Sequence, residues 1–318
     1  MRETYVNIGR RKQMRRTARN RVLFVIISAV VIFALSLTLG NYLRAKVSAL
    51  PPRADLPDDL LTGQLPADTS DASEISIMAS YLPLTDLTDS AAIESLVESL
   101  TLGSREAVSL CLRDRAGEVH FRSTVAQNLT GGTPAELDLS LLLPALRNAG
   151  IYTSAVFGVT SFSAGDTAAY DLQHAFEISL AGEIGAAGVD ELLLVGIPIS
   201  VDTLDAVTAY ITEIDAQLPD TVQLAVAVPP ELVGAASGTV LCKQLSMHTD
   251  TIALDLRGLT PAKGQTFPDA AEALFADTSL YFSKYNMRVL LPQTDSTEFA
   301  ELRQILELNG IRNWQVIN

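Results

Sequence analysis

The stretch Asp190-Glu191-Leu192-Leu193-Leu194-Val195-Gly196-Ile197-Pro198-Ile199-Ser200 decides how this chain is read. It is a short, nearly unbroken apolar run between a helical pattern that ends in Gly185-Ala186-Ala187-Gly188 and a new helix opening near Asp202. A strand covered on both faces has no solvent side to make polar, so it loses the in-out alternation of a half-exposed strand. Leu192–Ile197 therefore reads as a strand of a parallel sheet, flanked by the helices that cover it.

The same rhythm continues on both sides. Toward the N-terminus, strands are expected at Ile75–Leu82, Ala107–Arg113 and Ile151–Val159, with helices at Ser90–Leu100, Leu137–Asn148 and Asp171–Ile184. Leu172, Phe176, Leu180 and Ile184 recur at steps of four, which puts them on one helical face. Between Asp114 and Thr133, the turn Arg115-Ala116-Gly117, the alternating Val119-His120-Phe121 and the pair Gly131-Gly132 predict an excursion with a small hairpin. Toward the C-terminus, strands are expected at Val222–Val228, Thr251–Leu256, Met287–Leu291 and Ile311–Ile317. Helices at Asp202–Gln217, Ala235–Met247 and Pro268–Tyr285 separate them, and a last one opens at Asp295 and Glu298, a capping-box spacing, and stops at Gly310.

Eight strands alternating with helices predict a (β/α)8 barrel of the TIM type over residues 74–318, closing on its last strand without a final helix. An open doubly wound sheet is the competing topology, but no Gly-rich nucleotide fingerprint follows an early strand.

Ahead of the barrel the composition changes sharply. Residues 1–21 carry eight Lys/Arg against the single acid Glu3, a charge of +7; with −14 for the whole chain, the rest carries −21. Val22 to Leu43 has no charged residue, and at about 1.5 Å per residue it spans the roughly 30 Å hydrocarbon core of a bilayer. These features predict a transmembrane helix at 22–43 with a basic cytoplasmic tail at 1–21 and an extracytoplasmic C-terminal domain, a single-pass protein of the cell membrane. A cleaved signal peptide competes, since Val47-Ser48-Ala49 offers small residues at a cleavage position, although Arg44 and Lys46 crowd it. Residues 44–73, rich in Pro, Asp, Leu and Thr without a period, predict an extended, disordered tether.

Several chemistries are excluded or weakly signalled. A strongly acidic exported domain repels nucleic-acid phosphates, so no nucleic-acid partner is expected. Cys111 and Cys242 lie far apart in apolar segments and read as two separate thiols rather than a disulfide. His120, His174 and His248 are too scattered for a metal cluster. There is no Gly-x-Ser-x-Gly elbow, phosphate loop or CxxC pair, so neither metal nor cofactor is expected. Asn128-Leu129-Thr130 has the form of a glycosylation acceptor.

Three segments, Ala92–Gly117, Leu137–Val159 and Asp171–Ser200, together with the ending Gly310-Ile311-Arg312-Asn313-Trp314, resemble a family of bacterial, envelope-associated glycoside hydrolases with a barrel domain. The resemblance runs through most of residues 75–318, in order and spacing more than in letters. It implies a glycosidase barrel, and it also locates where the family's acids should stand. The family's second strand ends in an aspartate two residues before a lysine; here Cys111 and Arg113 occupy those places, with Asp114 alongside. Its fourth strand passes from an Asp-Glu pair through aspartate-tyrosine to an arginine; this chain keeps Asp190 and Glu191 but has Val195, Gly196 and Pro198 beyond them. Valine can neither protonate nor attack a glycosidic bond.

Glycoside hydrolysis needs two carboxylates flanking the bond. Asp190 and Glu191 precede their strand, at the end of a barrel that carries stability rather than catalysis, and read as a loop pair. The acids able to reach the catalytic face are Asp114, Glu231, Asp255 and Asp295. Each also has a structural reading: Asp114 as a turn residue or partner of Arg113 or Arg115, Glu231 as the acid of a first helical turn, and Asp295 as a helix cap. Asp255 lies two residues before Arg257, which as continued strand would put both on one side as a buried ion pair. Arg113, Arg257 and Trp314 are the candidate ligand contacts, Trp314 as a stacking ring or as core.

The leading expectation is thus a membrane-anchored barrel outside the cell, emptied of its acids, that binds cell-wall or envelope glycan or an envelope protein. The alternative is an active glycoside hydrolase pairing Asp114 with Asp255 or Glu231. A third option is a structural protein that only presents loops to a partner, since aromatics make up only 6% of the chain.

Overall fold

Strand Glu191–Val195 is buried at every residue, as its apolar run demands, and it lies in the wall of a closed barrel of eight parallel strands. The computed structural model describes residues 78–317 apart from 83, 85–89, 104–105, 131–134, 136, 164–166 and 234–236. The expected tail, transmembrane segment and tether lie outside the described residues, as do Ile75–Ile77 of the first expected strand. Among the described residues no helix is long and apolar enough to cross a membrane.

The strands are β1 Met78–Leu82, β2 Ala107–Arg113, β3 Tyr152–Gly158, β4 Glu191–Val195, β5 Gln223–Val228, β6 Thr251–Asp255, β7 Met287–Pro292 and β8 Trp314–Ile317. Each pairs in parallel with its sequence neighbours, and β8 closes on β1 through Met78 and Ala79. Helices α1 Ser90–Leu102, α2 Thr124–Thr130, α3 Leu139–Asn148, α4 Thr167–Ala187, α5 Leu204–Asp215, α6 Pro230–Val233, α7 Gly238–Leu245, α8 Phe267–Lys284 and α9 Ser296–Leu308 connect them. The expected hairpin after β2 is reduced to one antiparallel bridge, Arg113 to Val119, and the chain then turns into α2, which the sequence reading had not separated out.

Local chemistry fixes the helix starts. Asp295 caps α9, accepting from the N–H groups of Thr297 and Glu298, and Asp138 caps α3 by accepting from Ser140. The reciprocal capping box falls on α8, between Thr266 and Asp269, rather than at Asp295 and Glu298.

Alternate residues of each strand face opposite sides, so the barrel has two cores. Outward-facing Leu110, Leu112, Phe157, Leu192, Leu194, Leu224, Val226, Ile252 and Leu254 pack under the helices with Leu142, Leu180, Ile211 and Phe275. Inward-facing Val156, Leu193, Val195, Ala225, Ala227, Ala253, Leu290 and Ile317 fill the barrel. Toward the N-terminal ends the interior turns polar. There Arg288 meets Glu191, Gln315 donates to Ser109 and Ser154, and Ser154 donates to Glu191, all of them buried. This corrects half of the reading of Asp190 and Glu191 as a loop pair. Asp190 does sit in the loop, accepting from the Thr153 N–H and hydroxyl, but Glu191 is the first residue of β4 and faces the barrel interior.

Candidate functional site

The C-terminal ends of β2 to β6 surround a cleft of about 740 Å³. Its walls are built from residues that follow the strands: Arg115 and Ala116 after β2, Val159 and Thr160 after β3, Gly196 and Ile197 after β4, Pro229 after β5, and Asp255 at the end of β6. Ser163, Ala169, Gln173 and Ala227 also line it. This is the face on which barrels place their ligands, and the volume suits a small molecule.

At the floor of the cleft, Asp255 is held by two guanidinium groups. Arg257 donates to Oδ1 from Nε at 2.9 Å and to Oδ2 from Nη2 at 2.8 Å, and its backbone N–H also reaches Oδ1. Arg115 donates to the same Oδ2 at 2.6 Å from 140 residues away. The expected pair of Asp255 and Arg257 therefore forms, by a different route: β6 stops at Asp255, and a 3-10 turn, Leu256–Gly258, folds Arg257 back onto the carboxylate. Both of its oxygens are thus already engaged by guanidinium donors.

The remaining candidates go elsewhere. Asp114 closes the turn after β2, its Oδ1 accepting from the Glu118 N–H at 2.8 Å and its Oδ2 lying 3.4 Å from His120 Nε2. It pairs with neither Arg113 nor Arg115 in these contacts. Glu231 is exposed in the first turn of α6 and does not line the cleft. Among the described residues lining the cleft, Asp255 is the sole carboxylate.

Two expected ligand contacts are corrected. Trp314 begins β8, at the N-terminal end opposite the cleft, and faces outward, edge-on to Phe299 with ring centres 5.5 Å apart and 6% exposed. It is core. Arg113 is fully buried, because a bulge between Cys111 and Arg113 shifts the register so that Arg113 pairs with outward-facing Phe157. Strict alternation from Ser109 and Cys111 would have pointed it into the barrel. Instead it lies against the rings of Phe157 and Phe176 and donates to Glu177 of α4, to Thr160 Oγ1 at 2.8 Å and to the Gly158 carbonyl.

Glu177 is the hub behind the cleft wall. Its Oε1 accepts from the backbone N–H groups of Thr160 at 2.7 Å and Ser161 at 3.1 Å as well as from Arg113, while Oε2 accepts from the Tyr210 hydroxyl at 2.9 Å. Burial alone would raise its pKa, but the Thr160 N–H, Arg113 and the donors at Ser161 and Tyr210 outweigh it and hold the carboxyl below its usual range. Sequence reading missed both Glu177 and Arg115. The first looks like any acid on a helix, and the second like a turn residue.

Cys111 faces the interior beneath the cleft, where burial, assisted by Asp114 and opposed by Arg257, pushes its thiol up to about 11. Cys242, on the buried face of α7, is raised to about 11 by burial alone, and both cysteines are free. The His174 ring lies tilted against those of Tyr170 and Tyr210, ring centres 5.3 Å from each. Among the described residues no group of three His, Cys, Asp or Glu side chains could hold a metal ion.

Fold and site together define a (β/α)8 barrel with a small, arginine-bearing cleft at its C-terminal mouth. No protein-family model and no curated protein matches the chain. Among solved structures it is similar to one provisionally assigned as an alpha-L-fucosidase from Bacteroides thetaiotaomicron, with 10% identity and a TM-score of 0.52 over 76% of this chain and 87% of that one. The spore cortex-lytic enzyme of Bacillus cereus matches at 8% identity and a TM-score of 0.46, over 76% of this chain and 70% of that one. Dihydrodipicolinate synthase from Agrobacterium tumefaciens matches at 16% and 0.46, over 75% and 69%. The likeness to the fucosidase structure is one of fold alone, the closed (β/α)8 barrel.

Proposed function

We propose that the protein is a membrane-anchored barrel outside the cell that binds cell-wall or envelope glycan in its mouth without hydrolysing it. The observation that carries this reading is the composition of the cleft, where the one lining carboxylate among the described residues, Asp255, is engaged by Arg115 and Arg257. A two-carboxylate mechanism needs an acid and a base or nucleophile across one bond. The hydrolase alternative, Asp114 or Glu231 paired with Asp255, is weakened by the turn that occupies Asp114 and by the exposed position of Glu231 outside the cleft. The anchor rests on the basic residues 1–21 and the uncharged run Val22 to Leu43.

The test is to incubate the full-length chain with peptidoglycan and capsular polysaccharides, measuring both retention on the polymer and release of reducing ends. Retention without release is expected. Release that disappears in Asp255→Asn, with the fold intact, would overturn the non-catalytic reading in favour of the hydrolase.

A further inference from the structure

We propose that the mouth of the barrel takes an oligosaccharide of two or more linked sugar rings, one seated in the cleft over the strand ends and the next in a second hollow beside it, against α2 and α4. The inference rests on the glycan-binding reading and deepens it, giving the ligand a length and a direction.

The second hollow, of about 400 Å³, is lined by Glu118, Phe121, Ser123, Gln127 and Leu129 of the excursion after β2 and by Phe176 of α4, among others. It shares Ala116, Thr160 and Gln173 with the cleft, so the two spaces lie side by side. Ala116 is exposed and contributes only a methyl group to the divide. A ligand that extends from the cleft toward α2 therefore crosses a methyl group, a threonine and an amide rather than a helix.

Both sides of this hollow are pinned. On the shared side, Glu177 Oε1 accepts from the Thr160 N–H at 2.7 Å, from its hydroxyl at 3.0 Å and from the Gln173 amide at 3.4 Å. An amide has more hydrogen-bonding positions than that one contact uses. On the far side, Glu183 of α4 accepts from the Ser123 hydroxyl, from the Thr124 N–H at 2.7 Å and from the Val125 N–H, which clamps the start of α2 to α4. Asp114 closes the intervening turn on the Glu118 N–H. A preformed space loses little affinity to the ordering of its own walls.

The lining chooses the ligand class. In the cleft, Arg115, Ser163 and Gln173 set hydrogen-bonding groups among small apolar side chains. In the hollow, Glu118, Ser123 and Gln127 do the same among Phe121, Leu129 and Phe176. A sugar ring carries hydroxyl groups at its edge and C–H groups on its faces, and a few placed polar groups on an apolar wall match it. The same mixture in two adjoining spaces suits a repeated unit. A lipid tail would instead call for a second space free of polar groups.

The experiment takes the polysaccharide that the full-length chain retains, peptidoglycan or capsular, and sizes its partial hydrolysate into fragments of one to six sugars. Each is titrated calorimetrically into the full-length chain in detergent. Affinity should rise at least about tenfold between one sugar and three. Gln127→Ala, which alters the hollow and not the cleft, should weaken the three-sugar fragment about three- to tenfold, the loss of one hydrogen bond, and Gln127→Trp, which fills the hollow, should abolish the rise. Both should bind the single sugar as before and melt as the parent does; should the larger side chain disturb α2, Gln127→Ala decides. Arg115→Gln, which alters the cleft and not the hollow, should weaken every length by a similar factor. Equal affinity for one sugar and for six, a rise with length that Gln127→Ala leaves untouched, or polymer retention with no fragment bound would each overturn the second hollow and leave the glycan reading standing. No retention on any polymer and no fragment bound would overturn both.

Discussion

Arg288 reaches across the interior of the barrel to Glu191, 97 residues earlier in the chain, and engages both of its carboxylate oxygens, with Nη2 to Oε2 at 2.7 Å. Ser154 and Gln315 satisfy further positions of the pair, and none of the four is more than 3% exposed. Desolvating two charges offsets most of their attraction, so such a pair adds little beyond what apolar residues would, but removing one partner strands the other. Glu191→Ala is expected to cost about 3–5 kcal/mol, and the double change Glu191→Leu with Arg288→Met to recover most of that loss. Urea denaturation of the full-length variants measures both. Equal losses in the single and double variants would show that the pair itself, rather than the stranded charge, carries the stability.

The end of β3 has no room for a side chain. A Cβ on Gly158 would lie 1.9 Å from the backbone oxygen of Asp114 and 2.4 Å from its carbonyl carbon, and backbone cannot move aside as a flexible side chain can. Gly158→Ala should therefore destabilise by at least about 1–3 kcal/mol, the usual range for overpacking. Because the displaced segment carries Arg115, the same variant should also lose ligand affinity. Gly196→Ala, at φ +84 on the cleft wall, should cost about 1–2 kcal/mol. Thermal melts read the stability losses, and a melt unchanged in Gly158→Ala would mean the strand ends approach less closely than this.

Glu177 gives the fold an acid limit. Its folded pKa is depressed, so its contribution is fully present above the unfolded carboxyl value of about 4.3 and is lost as pH falls through the lower folded value. Glu177→Gln should be less stable near neutrality, since Arg113 then lacks its counter-charge, and should show a flatter decline of stability below about pH 4. Denaturation midpoints measured across that window compare the two. Parallel acid declines would remove Glu177 as the group responsible.

The strands were legible because a strand buried on both faces has few ways to be written. Ala107–Arg113 falls where its apolar run predicts, and β3 to β7 lie within a residue or two of the expected bounds. Trp314 and Arg113 show why the site was not. The expected last strand began at Ile311, but pairing with β1 and β7 starts at Trp314, which places the ring at the far end of the barrel. One bulged residue in β2 moves Arg113 from the interior to the helix layer, and no pattern of residue types announces a bulge. Arg115 and Asp255 are 140 residues apart, and only closure of the barrel brings them together.

The two thiols should be inert in the folded chain. With pKa values raised to about 11, only about one part in a thousand of either is thiolate at about pH 8, and the thiolate is the reactive form. Alkylation by iodoacetamide followed by mass spectrometry should find Cys111 and Cys242 unmodified under native conditions and both modified in urea. Rapid native labelling of Cys111, the less buried of the two, would mean that its side chain opens to the cleft.

Trp314 is the chain's one tryptophan, which makes its fluorescence a probe of a single place. Packed against Phe299 beneath α9, it should emit at short wavelength and resist quenching by acrylamide until the barrel unfolds. It starts β8 while the cleft lies beyond the strands' C-terminal ends, so a ligand filling the mouth should leave its emission unchanged even as calorimetry registers binding. Had the ring been a stacking platform for sugar, the same titration would shift or quench it. A saturable change in tryptophan emission with a soluble glycan fragment, tracking its binding isotherm, would therefore contradict the assignment of Trp314 to the core and reopen the position of the binding site.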